Sequence, residues 1–307
     1  MVVRDEGRDR TIPLDLWYPA ADDAREESVV LGGIYPARVA REATFASSEK
    51  RPLILLSHGS GGGRADLSWL ARHLARHGFL VASIEHPGNR FGDDSVEGVV
   101  SVWRRPPDLS LALDRLLASP VWGRRIDATR IGAAGHSSGG YTVIALAGAR
   151  FDAGRLAAYC AGGDAGPDCA LAMDVDLADL PDFDAAGLSY RDDRVDAVFA
   201  MAPAVGQGFD ADGLSSVRIP VRIVGSRDDE LTLFGLHAAH YARVLPGATL
   251  VTVRPGGHFV YLSICNELGR EVAALVCVDP DPETDRGAVH DRIGRDAVAF
   301  FRRTLGS

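Results

Sequence analysis

One short motif in the sequence could supply a nucleophile. Gly135-His136-Ser137-Ser138-Gly139 has the spacing G-x-S-x-G and lies between an apolar run typical of a strand and a pattern typical of a helix. The glycines permit a tight turn in which Ser137 takes a strained backbone conformation and projects its hydroxyl from the end of the strand. A Gly/Ser-rich turn without chemistry is the alternative, which the flanking elements disfavour. Because a base must take the proton from such a serine, the motif also requires a histidine and an acid.

Candidates for these two partners follow Ser137 in the chain. Asp228 and Asp229 come directly after one apolar run, and His258 comes just beyond the next. The order serine, acid, histidine, with each residue at a strand end, is the order expected to accompany the motif. Taken singly, the acids could form a solvated turn and His258 could be a loop histidine bonded to a carbonyl group. Of the two acids we favour Asp228, because it follows most directly the glycine turn that begins at Gly225.

An acyl-transfer site also needs hydrogen-bond donors for the oxygen that becomes negatively charged. One expected donor is the backbone N–H of Ser138, and the other is that of Ser60 in the glycine-rich loop 57–64. The glycines of this loop do not have the spacing of a phosphate-binding loop. His58, His86, His136 and His258 could form a metal site by residue type, but they do not have the spacing of one, so we expect no metal.

The elements that must position these residues alternate between strands and helices. The continuous apolar run 51–58 predicts a strand that is buried on both faces, and further apolar runs predict strands at 79–86, 129–136, 195–203, 220–226 and 248–255. Helical spacing predicts helices between and after them, at 65–78, 106–120, from about 138 onward, and at 288–305. This alternation indicates a mostly parallel sheet with helices on both faces, forming a single α/β domain over residues 1–307.

One segment interrupts the alternation. Residues 151–192 are acidic and rich in small residues, and we expect them to form a cap or lid over the carboxyl edge of the sheet rather than a second domain. We expect this segment and the loops 86–95 and 103–105 to determine which substrate binds.

Four aromatic side chains are candidates for the walls of a substrate pocket, although such residues more often pack in the core or in a loop; they are Phe91, Trp103, Tyr141 and Phe259. Arg90, Arg104 and Arg105 could attract an acidic substrate. A solvent-exposed charged face is the interpretation that we favour for these arginines.

The composition excludes several classes of partner. The chain has 307 residues, 46% hydrophobic and 24% charged, with a formal net charge of −9. This charge argues against binding to nucleic acid or to an anionic membrane. No apolar stretch approaches the roughly 20 residues of a membrane-spanning helix. The first residues are charged and soon resemble a strand, so we expect no signal peptide within this chain.

The four cysteines form two pairs that are close in sequence. Cys160 and Cys169 lie inside the segment 151–192, whereas Cys265 and Cys277 lie beyond His258. Neither pair has a zinc-binding spacing. Closing such short loops with a disulfide constrains the unfolded chain by roughly 2–3 kcal/mol each. We therefore expect two disulfides and an oxidising compartment, with four free thiols in a cytoplasmic protein as the alternative.

Several strings of the sequence together resemble a known branch of the α/β-hydrolases, the dienelactone-hydrolase-like and platelet-activating-factor-acetylhydrolase-like proteins. They are RTIPLDLWYPA, PLILLSHGSGGGR, WRRPPDLSLALDRLL, RIGAAGHSSGGYT, VGSRDDE and PGGHF. The resemblance covers nearly the whole chain. It implies an α/β-hydrolase fold and a cofactor-free serine esterase that acts on a small-molecule ester, with Ser137, Asp228 and His258 as its catalytic triad.

The same resemblance has two further implications. True dienelactone hydrolases have a cysteine where this chain has Ser137, which argues against lactone specificity. Members of the branch are commonly exported, which together with the cysteines implies a periplasmic or secreted protein. A serine peptidase or amidase, or a binding protein without catalytic activity, are the alternative functions on this fold.

Overall fold

A computed structural model of the chain describes residues 1–171 and 175–306, and all elements named below lie within these ranges. In chain order its strands are β1 (Val2–Asp5), β2 (Arg10–Trp17), β3 (Glu27–Leu31), β4 (Tyr35–Val39), β5 (Arg51–Ser57), β6 (Leu80–Ile84), β7 (Asn89–Arg90), β8 (Asp93–Asp94), β9 (Ile126–His136), β10 (Ala197–Met201), β11 (Val221–Ser226) and β12 (Thr249–Val253). Its helices are α1 (Ser68–Arg76), α2 (Val96–Val100), α3 (Pro106–Ala118), α4 (Ser138–Leu146), α5 (Ala153–Cys160), α6 (Ala238–Val244), α7 (Glu267–Val272), α8 (Ala274–Cys277) and α9 (Arg286–Leu305).

The central element is an eight-stranded sheet with the strand order β1-β2-β6-β5-β9-β10-β11-β12. β1 and β2 pair antiparallel with each other, and β2 also pairs antiparallel with β6. All other neighbours in the sheet pair in parallel. The carboxyl ends of β5, β6, β9, β10, β11 and β12 therefore lie at one edge, where a site built from several loops can form.

Helices cover both faces of the sheet because its strands are apolar on both sides. The residues of β6 and β10 are all buried. On one face α1 and α9 pack together over a core that contains Leu70, Leu74, Ile293 and Phe301. On the other face α3, α4 and α6 pack over a second core. This arrangement confirms the mostly parallel α/β architecture predicted from the sequence.

Two small hairpins lie outside the sheet. The pairs β3–β4 and β7–β8 are antiparallel and largely exposed or half-buried. Because such short strands lack a long apolar run, the sequence pattern does not indicate them.

The segment 151–192 is described except for residues 172–174, so the part of the predicted cap at those positions lies outside the described residues. It contains α5 and short 3₁₀ turns at Pro167–Leu171, Leu177–Asp179 and Phe183–Ala185. Leu156 and Leu177 of this segment are buried against the core on the α4 side of the sheet.

Both predicted cysteine pairs are disulfide-bonded. The Cα atoms are 5.3 Å apart in Cys160–Cys169 and 5.6 Å apart in Cys265–Cys277. In the part of the chain that the structure describes, no helix is long and apolar enough to cross a membrane.

The disulfides predict a simple mass measurement. Iodoacetamide should add no carbamidomethyl group to the denatured, unreduced protein, because all four cysteines are paired. After reduction it should add one group to each cysteine, and the reduced protein should melt at a lower temperature because the unfolded chain regains conformational freedom. Full labelling without reduction would contradict both bridges.

Candidate active site

Ser137 lies at a strained turn between β9 and α4. Its backbone angles are φ 56° and ψ −119°, a conformation that costs a non-glycine residue on the order of 1–3 kcal/mol. The surrounding chain holds it there: the Ser137 N–H donates to the carbonyl oxygen of Met201 at 2.9 Å, and its own carbonyl oxygen accepts from the N–H of Ala204 at 3.1 Å. A side chain at Gly139 would collide with the backbone of Ser57, which explains the small residue at that position.

The structure brings a histidine and an acid into line with this serine. The Nε2 atom of His258 is 3.0 Å from the Oγ atom of Ser137. On the other side of the ring, Nδ1 is 2.9 Å from Oδ2 of Asp229 and 3.1 Å from its Oδ1. The carboxylate accepts a hydrogen bond from Nδ1–H, which leaves Nε2 as the nitrogen that can take the proton of the hydroxyl.

The prediction of Asp228 as the acid is wrong, because the carboxylate beside His258 belongs to Asp229. The Asp228 side chain is 42% exposed, and its ionic contact is to Arg254 at 3.5 Å. Its backbone N–H donates to the hydroxyl of Ser226 at 3.1 Å, which fixes the turn after β11 so that the following residue faces inward. Both candidates are aspartates on one short turn, so their residue type did not distinguish them.

Asp229 is buried but is held in its ionised form. Burial raises the pKa of this carboxyl group, whereas hydrogen bonds from His258, Thr232 and the N–H of Leu231 lower it, and the pKa ends below its ordinary value. Thr232 donates twice, from its hydroxyl at 2.8 Å and from its N–H at 2.7 Å. The ionised carboxylate can therefore stabilise a protonated His258.

Two further residues orient His258 through its backbone. The His258 N–H donates to Oε2 of Glu230 at 2.9 Å, and its carbonyl oxygen lies 3.0 Å from Nε2 of His136. Thr232, Glu230 and His136 are not among the site residues predicted from the sequence. His136 lies inside the serine motif, and its position there was the signal that could have indicated it.

The two predicted oxyanion donors lie beside the serine. The loop after β5 approaches the start of α4, with the Oγ atoms of Ser60 and Ser138 2.9 Å apart. Ser138 is the first residue of α4, so its N–H has no acceptor within the helix. Ser60, Ser137, Ser138 and His258 all line one cavity, and the role of the two N–H groups as oxyanion donors stays a prediction.

This cavity has a volume of about 760 Å³ and is mainly apolar. Its walls come from the β3–β4 turn, the loop and helix around 91–102, parts of the segment 156–177 and the short helices around 272–276. Phe91 and Phe259 are in the wall, and their contact with substrate stays a prediction. Phe91 is 86% exposed at its rim.

The other two predicted wall residues are core residues instead. Trp103 is 1% exposed, and its indole N–H donates to Asp182 at 3.1 Å. Tyr141 is fully buried on α4, where Phe151 and Phe209 pack against its ring. Neither side chain borders the cavity, so the prediction that they contact substrate is wrong.

Four buried histidines have strongly lowered pKa values, three of them near the site and one on α9. Burial, with a smaller effect of nearby positive charge, lowers the pKa of His86, His136 and His290 to about 3 and that of His58 well below its ordinary value. These rings are neutral at physiological pH. Within residues 1–171 and 175–306, no group of three or more His, Cys, Asp or Glu side chains is arranged to hold a metal ion.

The chain is similar to known proteins over different parts of its length. The sequence model of the family described as platelet-activating factor acetylhydrolase, isoform II, matches residues 7–91. Cutinase est2 of Thermobifida alba is 36% identical over 101 residues, which cover 32% of this chain and 31% of that protein. Cutinase 2 of Thermobifida cellulosilytica is 34% identical over 101 residues, 32% of this chain and 35% of that protein. The chain thus matches about a third of the length of these curated relatives.

A solved structure is similar over almost the whole chain. The ferulic acid esterase from Streptomyces cinnamoneus superposes with a TM-score of 0.62 and 23% sequence identity, covering 97% of this chain and 83% of that one. At this identity the likeness shows a shared fold.

The two neighbouring aspartates should differ sharply in their effect on the serine. Asp229→Asn should slow the labelling of Ser137 by a fluorophosphonate by roughly 10³–10⁴-fold, because the amide neither orients the useful tautomer nor stabilises the imidazolium. Asp228→Asn is the matched control and should leave the labelling rate almost unchanged, because its side chain faces solvent. The opposite ranking would return the acid's role to Asp228.

The buried histidines predict a loss of stability in acid. In the unfolded chain they titrate near pH 6.5, whereas in the folded protein they stay neutral down to about pH 3, so the unfolded state binds more protons as the pH falls between these values. Each should cost on the order of 2 kcal/mol by about pH 4.5. Calorimetry should show a melting temperature that falls steadily below about pH 6.5, with a shallower fall in His290→Gln. A melting temperature independent of pH over this range would contradict the assignment.

Proposed function

We propose that this chain, which has an α/β-hydrolase fold, hydrolyses carboxylic esters through an acyl-enzyme on Ser137. The observation that carries the proposal is the continuous contact from Ser137 through His258 to a buried, ionised Asp229. The similarity to proteins named cutinases and to one named a ferulic acid esterase supports it.

The first half of the reaction forms the acyl-enzyme. Ser137 Oγ attacks the acyl carbonyl carbon while His258 Nε2, 3.0 Å away, takes its proton. The oxygen of the resulting tetrahedral intermediate accepts hydrogen bonds from the N–H groups of Ser60 and Ser138. Asp229 stabilises the imidazolium, which then donates its proton to the departing alcohol as the ester C–O bond breaks.

The second half releases the acid. Once the alcohol has left, a water molecule occupies its place and loses a proton to His258 as it attacks the acyl carbon. The same two N–H groups stabilise the second tetrahedral intermediate, and the proton returns from His258 to Ser137 as the acid departs. No group other than the three side chains and the two backbone donors is needed to balance these steps.

The cavity indicates an uncharged ester with an apolar part. Its wall around Ser137 includes Phe91, Phe259, Leu156 and Leu177, which favour alkyl or aryl groups by burying their surface. We also propose that residues 1–307 form one catalytic domain. The segment 151–192 is its cap, since Leu156 and Leu177 of this segment line the cavity.

The compartment follows from the disulfides. Such bonds form and persist where the environment is oxidising, so we propose a periplasmic or secreted protein.

Replacing the nucleophile should abolish hydrolysis without unfolding the protein. In Ser137→Ala, kcat on p-nitrophenyl esters should fall by several orders of magnitude, roughly 10³-fold or more, because no acyl-enzyme can form. Ser216→Ala is a matched control, since the hydroxyl of this serine is bonded to the carbonyl oxygen of Gly148, away from the cavity. Turnover by the Ser137→Ala variant above about a tenth of wild type would exclude Ser137 as nucleophile.

A substrate panel separates the remaining functions of this fold. The wild-type protein should hydrolyse p-nitrophenyl esters of short and medium acyl chains far faster than aminoacyl anilides. Faster cleavage of anilides would instead indicate a peptidase or amidase. Absence of both hydrolysis and fluorophosphonate labelling of Ser137 would indicate a binding protein.

A further inference from the structure

A buried arginine connects the two turns that carry the oxyanion donors. Arg105, at the start of α3, is 1% exposed. Its Nη2 atom donates to the carbonyl oxygen of His58 and lies 3.4 Å from the hydroxyl of Ser57. Its Nε atom donates to the hydroxyl of Thr142 at 3.1 Å. One planar side chain therefore contacts both the loop after β5 and the first turns of α4.

Each of these contacts fixes a group that lies close to one of the two donor N–H groups. His58 precedes Gly59 and Ser60, so its carbonyl group fixes the loop that presents the Ser60 N–H. Thr142 donates its hydroxyl to the carbonyl oxygen of Ser138 at 2.7 Å, which fixes the residue that presents the second N–H. The guanidinium group thereby sets the separation between the two turns.

Arg105 lacks the ion pair that would normally stabilise a buried arginine. A buried arginine is normally compensated by a carboxylate, but no carboxylate of the described residues forms an ion pair with it. The nearby Asp108 is engaged instead by Arg10, at 2.9 and 2.7 Å, and by His86 at 3.0 Å. Among the described residues, Nη1 of Arg105 also has no hydrogen-bond partner.

The charge of Arg105 persists in spite of its burial. Burial lowers the pKa of the guanidinium group to about 9, and the charge of Asp108 opposes this effect. The side chain is therefore a cation at neutral pH, and its charge strengthens its hydrogen bonds to the His58 carbonyl and the Thr142 hydroxyl.

We propose that Arg105 is a positioning residue for the oxyanion hole, holding the Ser60 and Ser138 N–H groups at the separation at which both can bind one oxygen. The proposal rests on the proposed function, since these groups matter only if Ser137 forms tetrahedral intermediates. It does not require Arg105 to touch the substrate. Displacement of a donor by about 1 Å is enough to lower turnover by about 100-fold.

Three variants test the proposal: Arg105→Met, Arg105→Lys and the control Arg222→Met. Arg222 is also largely buried and paired, with Asp296 at 3.3 Å, but it lies near the amino end of β11, at the opposite edge of the sheet from Ser137. The measurements are melting temperature, kcat and KM on p-nitrophenyl esters, and the rate constant for fluorophosphonate labelling of Ser137. They separate a loss of donor geometry from a general loss of stability.

Arg105→Met should lower kcat by about 100-fold and leave KM within about threefold, because the donors act mainly in the transition state. The labelling rate should fall by at least roughly tenfold, because the phosphoryl oxygen uses the same two donors. Arg105→Lys should recover part of both losses, since an ammonium group keeps the charge but not the fork of donors. Arg222→Met should lower the melting temperature without changing either rate.

Two outcomes in the variants would overturn the proposal. One is a folded Arg105→Met protein with kcat and labelling rate within about threefold of wild type, which is far less than the loss of a donor causes. The other applies if Arg105→Met does not fold: Arg105→Lys then carries the test, and wild-type rates in that variant would overturn it. If wild-type protein is labelled at Ser137 but hydrolyses no ester, the proposed function fails, whereas the labelling rates of the variants still decide the role of Arg105. Absence of labelling in wild-type protein would overturn both proposals.

Discussion

Ser137 holds a backbone conformation that is costly for an L-residue, and the rest of the site depends on the contacts that keep it there. Its peptide groups are bonded to Met201, the last residue of β10, and to Ala204, which lies just beyond that strand. α4 begins at the next residue and presses against the end of β5, because Gly139 has no side chain. One turn thus sets the direction of the hydroxyl, the start of a helix with free N–H groups and the distance to the loop after β5. The acid and the histidine arrive at the same edge because their strands run parallel to β9.

The parts of this arrangement that were predictable are those with a periodic or positional signal in the sequence. Long apolar runs identified the parallel strands, and the position of Ser137 and His258 after such runs identified their place at one edge of the sheet. The choice between Asp228 and Asp229 had no such signal. It is set by backbone direction within a short turn, in which the Asp228 N–H donates to the Ser226 hydroxyl and the Asp229 carboxylate accepts from the N–H groups of Leu231 and Thr232.

Burial of individual side chains was harder to predict than their position along the chain. Tyr141 lies on α4 near Ser137, and Trp103 lies just before α3. Both rings are nevertheless buried in the core that α3 and α4 cover, and not in the cavity wall. Arg105 was expected on a solvent-exposed charged face and is instead almost fully buried. Its environment is built by β5 and α4, which are distant in sequence, so no local pattern could reveal it.

The Cys265–Cys277 bridge belongs to a small core of its own. Together with Tyr35 it forms a cluster separate from the two cores that flank the sheet. The segment it closes contributes Ala273 and Val276 to the cavity wall, yet several side chains of that segment are exposed apolar groups rather than anchors to the sheet. Its free energy of local unfolding therefore depends more on the covalent link than on hydrophobic burial. This wall of the cavity therefore packs in a core separate from the one under α4, whereas Leu156 and Leu177 of another wall share the α4 core. Under the proposed function, sequence change around this bridge can alter which substrates fit while the geometry at Ser137 is kept.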